Sequence, residues 1–417
     1  MIDGAFSLSP PGSFPLSADP AFQDEVRGEL ERLIARVRES AAAPSVAGVL
    51  LTGSFSRGEG TVIGNGGSTS RWLSDVECLV VVRDGIVPRQ QIQRSMRQIE
   101  RDTNSDGGSI ARGIKVELRA ILTEGMLRLR PAIFTRELCE HAKLLWGDPA
   151  AIPVPPAASS EAEISKHDAF RLLNNRIIEQ IAVRSEYADR TGDSTVTAYS
   201  LAKFWIDLGT SLSVFLGCYM PGYRSRQKPV EDALRAHQEI LGDEMCSRFI
   251  CRFRNAMAQK LGQAGFPARD LDCEFNEAVE IARATWNWES GQLLGVNAAP
   301  EDWRGIFDRL SSLETAPQRM RDWARLLRQP SGLRQLGPRT MLAAARVGSL
   351  ATLIYGTGCA IDFYWDEFGS GRGEGTAMMA ELCGSFGVAA PNPSEGRRLL
   401  IQATLGAWER HLRFAAA

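Results

Sequence analysis

The stretch SVAGVLLTGSFSRGEGT, residues 45–61, runs from apolar residues directly into a Gly-Ser pair. Its first half is rich in valine and leucine, which predicts a buried β-strand. Gly53 and Ser54 then form a turn without a bulky side chain. Such a turn is either an ordinary strand-to-helix connection or a bare stretch of backbone that a phosphate can approach.

Two downstream segments also predict β-strands. Residues 74–85, SDVECLVVVRDG, are rich in valine and end in Asp-Gly, and residues 113–122, GIKVELRAIL, alternate in polarity. Asp75 and Glu77 are two residues apart, so both carboxylates project from one face of the first strand. Glu117 is the acid of the second strand, and we expect it to reach the same face. The apolar residues predicted to point the other way are Val76, Cys78, Val80, Val82, Ile114, Val116, Leu118 and Ala120.

Helical periodicity surrounds these strands. The segments with this pattern are residues 19–43, 87–102 and 134–149, the last of which ends in Gly-Asp-Pro. Helices interleaved with three strands predict an N-terminal α/β domain with a small mixed sheet over residues 1–150.

The composition of the chain changes after this domain. Residues 151–165 are rich in Pro, Ala and Ser, which predicts a linker. Strand patterns nearly vanish beyond it, and long amphipathic stretches predict an all-helical domain over residues 166–417. The expected fold class is therefore α+β with two domains, for which 417 residues are long enough.

The acid pair at Asp75 and Glu77 implies a cation. Two like charges placed side by side on a strand cost energy unless a cation neutralises them. Mg²⁺ is the simplest partner because it prefers carboxylate oxygen and shares its coordination shell with phosphates. Three carboxylates beside a bare turn suit two such ions, which orient an attacking hydroxyl and stabilise a leaving oxygen. Taken singly, each of these features also fits an ordinary polar strand face.

Taken in order along the chain, these features resemble the nucleotidyltransferase superfamily, typified by DNA polymerase beta and the antibiotic-modifying nucleotidyltransferases. The residues that carry the resemblance are Gly53-Ser54, the acid-apolar-acid triplet Asp75-Val76-Glu77, and Glu117, within residues 30–150. The resemblance implies an enzyme with two Mg²⁺ ions, or Mn²⁺ in their place. Such an enzyme attaches a nucleoside monophosphate from an NTP to an acceptor and releases pyrophosphate.

The resemblance also implies a role for each of these residues. Gly53 and Ser54 would hold the triphosphate through backbone N–H groups and a hydroxyl. Asp75 and Glu77 would bind the metal ions. Glu117 would complete the metal site and help to deprotonate the acceptor.

The chain departs from the family pattern in the region between the motifs. Twenty residues separate Ser54 from Asp75, which is longer than usual, and this glycine-rich insertion is expected to form a loop. The second acid of the triplet is Glu rather than the commoner Asp. For the third acid, Asp106 and Glu124 are rivals of Glu117.

Three further residues are candidates for nucleotide binding. Arg57 follows the turn and either contacts a phosphate or is a helix-surface charge. In many relatives a lysine and a following tyrosine of the helical domain reach the triphosphate, and Lys203 and Tyr223 are the residues that match here. The alternative is that Lys203 is a snorkelling surface lysine and that Tyr223 lies in a solvated basic turn.

Charge and cysteine content limit the partners. A net charge of −2 gives no global field to attract duplex DNA or an anionic membrane. Eight scattered cysteines without a CxxC pair are typical of buried thiols in a reducing cytoplasm. The expected partners are an NTP, with ATP favoured, and an acceptor that is a small molecule or a protein side chain. The contrasting hypothesis is an inactive protein that keeps this fold and acts as a regulatory or partner-binding module.

Overall fold

The protein has a mixed α+β architecture, in agreement with the sequence prediction. The computed structural model describes residues 20–64, 71–106, 113–156, 163–266, 271–297, 299, 302–327, 330–370, 374–389 and 392–412. The chain divides into two compact units. The first unit consists of Met1–Ser165, Tyr219–Pro229 and Met257–Gly265, and the second consists of Lys166–Cys218, Val230–Ala256 and Phe266–Ala417.

The N-terminal part of the first unit alternates strands and helices. In chain order the elements are α1 (Pro20–Glu39), β1 (Val46–Thr52), α2 (Gly53–Ser56), β2 (Val62–Ile63), β3 (Arg71–Trp72), β4 (Val76–Val82), α3 (Arg89–Asn104), β5 (Val116–Leu122), α4 (Thr123–Met126), α5 (Ile133–His141) and β6 (Lys143–Gly147). Strands β5, β4, β1 and β6 form a four-stranded sheet in that order, and β2 pairs with β3. The sheet is mixed, because β1 is antiparallel to both neighbours whereas β4 and β5 are parallel.

Helices cover both faces of the four-stranded sheet. On one face, apolar side chains of α1 and α3 pack against alternate residues of β1, β4 and β5; they include Val26, Leu30, Ile92, Met96, Val49, Leu51, Val80 and Leu118. On the other face the core is smaller and contains Leu50, Leu79, Val81, Met126, Leu138 and Ile152. The near-continuous burial of β1 and β4 therefore follows from a sheet that is enclosed on both sides.

The structure differs from the predicted elements at several points. The predicted helix over residues 134–149 ends at His141, and Lys143–Gly147 instead forms the edge strand β6. Ile152 lies in the predicted linker but is buried in the smaller core. Ala120 is exposed, so the buried side of β5 ends at Leu118. The predicted glycine-rich loop is described only at its ends, which form the paired strands β2 and β3 instead of loop; residues 65–70 lie outside the described part of the chain.

From residue 166 onward the described residues form helices and turns and contain no strand. The helices are α6 (Lys166–Ala188), α7 (Ser194–Phe215), α8 (Tyr223–Ala236), α9 (Asp243–Lys260), α10 (Leu271–Leu294), α11 (Trp303–Leu313), α12 (Ala316–Leu327), α13 (Pro330–Val347), α14 (Leu350–Phe363), α15 (Trp365–Ser370), α16 (Glu374–Ser385) and α17 (Pro393–His411). The first residues of α8 and the last residues of α9 belong to the first unit.

The core of the second unit is built around α6, α10 and α14. Asn174 of α6 joins them, because its Oδ1 accepts hydrogen bonds from Trp286 Nε1 at 3.1 Å and Cys359 Sγ at 3.4 Å. Helices α7 and α9 approach closely at Gly209, where a Cβ would lie 2.5 Å from the Phe253 ring. This unit therefore combines apolar packing with a buried polar contact between helices.

All eight cysteines are unpaired thiols. Four of them are buried, but Cys251 and Cys273 are exposed, so the prediction of buried thiols is only partly confirmed. In the part of the chain that the structure describes, no helix combines the length and the apolar composition needed to cross a bilayer.

Candidate functional site

Strand register brings the Gly-Ser turn and two of the predicted acids to the same end of the sheet. β1 runs antiparallel to β4 and ends at Thr52, which pairs with Glu77. β4 runs parallel to β5, and there Glu77 pairs with Glu117. Three neighbouring strands therefore place these residues side by side, and Gly53 follows directly after the first of them.

Asp75 and Glu77 share the sheet face that carries the smaller core. Asp75 directly precedes β4, and both acids are half-buried, whereas Val76 and Cys78 between and after them are buried. Val76 and every second residue after it belong to the core beneath α1 and α3. The predicted separation of acids and apolar residues onto opposite faces is confirmed.

Two constraints explain why residue 53 is glycine. Its backbone has φ +66°, in the left-handed region that glycine adopts without strain. A Cβ at this position would also lie 2.6 Å from Glu77 Oε1, so the Glu77 carboxylate lies directly against the turn. Ser54, the next residue, is buried and its carbonyl accepts the Glu59 N–H at 2.8 Å. The bare turn is thus the surface against which a carboxylate packs.

Two basic side chains lie near the other two acids. Lys115 Nζ is 3.9 Å from Asp75 Oδ2, and Arg119 Nη2 is 3.5 Å from Glu117 Oε2. The Asp75 side chain is 25% exposed and the Glu117 side chain is 12% exposed. These long contacts balance the local negative charge only weakly, because an ion pair gains most at hydrogen-bonding distance.

Asp75, Glu77 and Glu117 carry the oxygen ligands that a hard cation prefers, but their side chains are not arranged around one metal position. In the described residues, no group of three or more His, Cys, Asp or Glu side chains is arranged to hold a metal ion. The three carboxylates expected to converge therefore do not form a ligand cluster in this structure. Asp75 and Glu77 offer carboxylate oxygens on one strand face, which is the ligand type that Mg²⁺ prefers. Metal binding stays a prediction.

A small recess lies over the acids at this end of the sheet. It is lined by Thr52, Glu77, Cys78, Leu79, Glu117, Arg119 and Phe134. Two carboxylates, a guanidinium and a phenyl ring are therefore among the groups that line it. Burial, together with the neighbouring Glu77, raises the pKa of the Cys78 thiol to about 12, so this cysteine stays protonated near neutral pH and is a poor nucleophile.

Comparison with models of known protein families and with curated proteins finds no match. The resemblance to nucleotidyltransferases stays an expectation. Glu117 and its two rivals for the third acid, Asp106 and Glu124, lie in different surroundings. Asp106 is exposed beyond α3, and Glu124 is exposed on α4, where it pairs with Arg128 at 3.1 Å. Glu117 alone of the three lines the recess with Glu77.

Arg57 is engaged by protein carboxylates. Its side chain is 4% exposed, and its guanidinium donates to Glu59 at 2.7 Å and to Glu137 at 2.6 Å. Burial opposes its positive charge, but Glu137, Tyr223 and Glu59 together raise the pKa of Arg57 above its ordinary value. The alternative of a helix-surface charge is wrong because Arg57 is buried. Its contact with a phosphate stays a prediction.

A second buried arginine completes this network. Arg226 is almost fully buried, and it donates to Glu137 Oε1 at 2.8 Å and to the Met220 carbonyl at 2.9 Å. The Tyr219 hydroxyl donates to the same carboxylate at 3.1 Å. Burial would raise the pKa of Glu137, but the guanidinium groups of Arg57 and Arg226 hold that pKa below its usual value.

Tyr223 lies at the centre of the network and is half-buried, not in a solvated turn. Arg57 stands 4.6 Å from its ring centroid, and Lys260 Nζ stands 5.6 Å away. The backbone N–H of Tyr223 donates to the Glu59 carboxylate at 3.0 Å, so Glu59 caps the start of α8. A cation over an aromatic face is attracted by the ring quadrupole, which helps to hold Tyr223 in place.

Lys203, the other nucleotide-binding candidate, lies on α7 in the second unit, with its Nζ 5.9 Å from the Tyr199 ring centroid. Its role stays a prediction. The sequence reasoning missed Glu59, Glu137 and Lys260, which join distant segments of the first unit. No local pattern marks them: Lys260 contacts Ser74, 186 residues away in the chain. Only the folded structure shows these pairs.

Proposed function

We propose that this protein is a nucleotidyltransferase that moves a nucleoside monophosphate from an NTP to a hydroxyl acceptor. The acceptor oxygen attacks the α-phosphorus and forms a new P–O bond. The bond from that phosphorus to the bridging oxygen of the β-phosphate breaks, and pyrophosphate leaves with the electron pair. The acceptor proton passes to a carboxylate of the protein.

One observation carries this proposal. The paired register of Thr52, Glu77 and Glu117 gathers a bare turn and two acids at one end of three adjacent strands. A scaffold gains nothing from acids placed side by side on one sheet face, since like charges repel. A site that binds a polyphosphate with its cations does gain from adjacent acids.

The proposed roles follow from where each group lies. Gly53 and Ser54 begin the short helix α2, and their backbone offers N–H groups to the triphosphate. Asp75 and Glu77 would hold two Mg²⁺ ions, or Mn²⁺, through carboxylate oxygens on one face. Bound there, the ions would supply charge neutralisation for the triphosphate and for the leaving oxygen.

Glu117 is the proposed proton acceptor. It lies directly across from Glu77 and lines the recess, so an acceptor hydroxyl seated there would be within its reach. A general base must lie within hydrogen-bond reach of the proton that it takes. Arg119 Nη2 lies 3.5 Å from this carboxylate, a contact that offsets its negative charge only weakly.

The remaining candidates have supporting roles in this proposal. Tyr223 and Arg57 lie together in the first unit, and we assign them to the nucleotide side of the site. Lys203 is proposed as a phosphate contact on the strength of the family resemblance. The nucleotide is ATP in the first instance, and the acceptor is a small molecule or a protein side chain in the cytoplasm. A net charge of −2 disfavours duplex DNA.

A second candidate function rests on a specific observation. The carboxylates do not form a three-ligand group among the described residues, and Lys115 and Arg119 stand beside two of them. A protein that had lost catalysis but kept the fold would tolerate such neighbours. It would then act as a regulatory or partner-binding module.

Thermal melting with nucleotide and metal separates the two functions. The active enzyme should gain stability from at least one NTP only when Mg²⁺ is present, by about 2.7 kcal/mol at a ligand concentration of one hundred times Kd. The double variant Asp75→Asn/Glu77→Gln should lose this gain, because it keeps the shapes of the side chains but removes their charge.

Glu124→Gln is the matched control for that experiment, because Glu124 is an exposed acid outside the recess. The control variant should respond like the parent protein. A double variant that keeps the full Mg²⁺-dependent gain would show that the metal site is assigned to the wrong residues. No response of the parent protein to any NTP would favour the inactive module.

A further inference from the structure

A buried lysine is hydrogen-bonded to the residue that directly precedes Asp75, a proposed metal ligand. Lys260, the last residue of α9, is 2% exposed, and its Nζ donates to Ser74 Oγ at 2.7 Å. Ser74 is itself buried and directly precedes Asp75 in the chain. An ammonium group therefore holds the residue from which the Asp75 backbone continues.

Thr61 closes a ring of hydrogen bonds around the same serine. The Thr61 N–H donates to Ser74 Oγ at 2.8 Å, and the Ser74 N–H donates back to the Thr61 carbonyl at 3.2 Å. The Thr61 hydroxyl donates to the Lys260 carbonyl at 3.1 Å. We call Thr61, Ser74 and Lys260 the serine clasp. It fixes the backbone from both sides immediately before β4 begins.

A buried ammonium at this place needs a reason. Removing a charge from water is costly, and an apolar side chain of similar length would fill the same space at lower cost. Part of the cost is offset by the Ser74 hydroxyl and by the face of the Tyr223 ring, 5.6 Å from Nζ. The specific gain is a strong, directional hydrogen bond to the residue that precedes Asp75.

The burial of Lys260 also defines how it can act. A side chain with 2% exposure has almost no surface left for a bound nucleotide, so it acts through the residues that it contacts, and Ser74 is the one of these that adjoins Asp75. Residues that orient a metal ligand through hydrogen bonds affect metal affinity although they do not touch the metal. The serine clasp acts one step further away, because its hydrogen bonds hold Ser74, the residue that directly precedes Asp75 in the chain.

We propose that Lys260 is a positioning residue, which through Ser74 sets the direction of the Asp75 carboxylate for metal binding. This inference rests on the proposed nucleotidyltransferase function. Asp75 and Lys260 lie in separate segments of the first unit, so the support is complete only when Met257–Gly265 is folded against the segment that contains Ser74.

The test measures metal affinity rather than turnover. The parent protein, Lys260→Met and Ser74→Ala are titrated with Mg²⁺ at a fixed, saturating ATP concentration, and the rise in melting temperature is followed. The half-saturating Mg²⁺ concentration should increase about tenfold or more in each variant, which is the usual effect of losing a group that orients a metal ligand. Lys228→Met is the matched control, because Lys228 is an exposed lysine of the same unit.

The double variant Lys260→Met/Ser74→Ala distinguishes positioning from bulk stability. If Lys260 acts through Ser74, the double variant should need no more Mg²⁺ than the worse single variant, because the two changes break one link. Should Lys260→Met fail to fold, the Mg²⁺ titration is done with Ser74→Ala alone. This substitution removes only a single oxygen atom.

The possible outcomes distinguish failure of the proposed function from failure of the positioning role alone. A parent protein without any Mg²⁺-dependent response to nucleotide overturns the proposed function and this inference together. A parent protein that responds, with Lys260→Met or Ser74→Ala showing an unchanged half-saturating Mg²⁺ concentration, overturns only the positioning role. Additive effects of the two changes would also contradict it.

Discussion

Gly53 combines a backbone requirement with a contact to a charged side chain. The residue has φ +66°, and any Cβ there would meet the Glu77 carboxylate at 2.6 Å. The sequence alone suggested a bare backbone for phosphate, but the structure adds a second cause, which is the packing of Glu77. A change at this one residue therefore affects both the fold and the position of a proposed metal ligand.

We predict that Gly53→Ala loses the Mg²⁺-dependent stabilisation by nucleotide and also lowers the free energy of unfolding. The left-handed backbone alone should cost about 1–2 kcal/mol, and the clash must displace the Glu77 carboxylate. Urea unfolding measures the first effect, and melting with ATP and Mg²⁺ measures the second.

Gly85→Ala is the control for that substitution. Gly85 has φ +81°, and no atom lies within 4 Å of the position of its Cβ. It should therefore show the backbone cost without the loss of the nucleotide response. Equal loss of that response in both variants would mean that strain, and not the contact with Glu77, disturbs the site.

At the scale of elements, two acids are buried within helices of the second unit. Glu289 of α10 is fully buried; its Oε2 contacts the Ser211 hydroxyl at 2.9 Å, and its Oε1 has no hydrogen-bond partner in the described chain. Ser211 Oγ also lies 2.9 Å from the Ala169 carbonyl. A hydroxyl has one proton to donate, so a protonated Glu289 is needed to satisfy both contacts.

Asp362 of α14 is the second buried acid. Both of its carboxyl oxygens lack a hydrogen-bond partner among the described residues. Burial raises the pKa of Asp362 to about 7, although Arg184 opposes the shift, and burial raises the pKa of Glu289 to about 8. Both values lie well above those of the unfolded chain, so the folded protein holds protons that the unfolded chain has released.

Stability should therefore fall as the pH rises. The contribution of each acid is complete below its unfolded pKa of about 4 and is lost as the pH rises to the folded pKa, by up to about 1.4 kcal/mol per pH unit. We predict a lower melting temperature at about pH 8 than at about pH 5.5. Glu289→Gln and Asp362→Asn should each reduce this difference.

Far-UV circular dichroism during heating measures the effect, and Asp308→Asn is the control because Asp308 is an exposed acid of α11. The control should keep the full pH dependence of the parent protein. A melting temperature that stays constant or rises between the two pH values would show that these acids are ionised in the folded state.

The sequence predicted elements well where a single period ran through the whole segment. β5 and the helices α1 and α3 were predicted from such patterns, whereas β1 and β4 were predicted from runs rich in valine and leucine; the alternation around Asp75 and Glu77 is confirmed. β6 was missed because Lys143–Gly147 is short and follows a helix with no break in composition. Its strand conformation comes from pairing with β1, which is a tertiary effect.

At the scale of the whole molecule, the sequence predicted which segments carry the acids, but not how distant segments pair. The turn and the acid pair each form a local motif. The pairing of Glu77 with Glu117 depends on the register of parallel strands, which a local pattern does not encode. The clasp through Lys260 and the pairing of Arg57 with Glu137 depend on contacts between distant segments.

The chain returns to its first unit twice after residue 166, with Tyr219–Pro229 and Met257–Gly265. These two segments carry Tyr223 and Lys260, so the surroundings of the proposed site include residues from the predominantly helical part of the sequence. A boundary drawn at residue 165 alone would separate the acids from Tyr223 and Lys260.

The central claim is that Asp75 and Glu77 hold metal ions beside the Gly-Ser turn, and anomalous scattering from Mn²⁺ tests it most directly. Crystals of the full chain would be grown with Mn²⁺ and an ATP analogue that cannot transfer its nucleotide. The account predicts anomalous peaks bonded to carboxylate oxygens of Asp75 and Glu77, with the triphosphate against Gly53 and Ser54. Nucleotide and Mn²⁺ bound elsewhere, with these two carboxylates unligated, would contradict it.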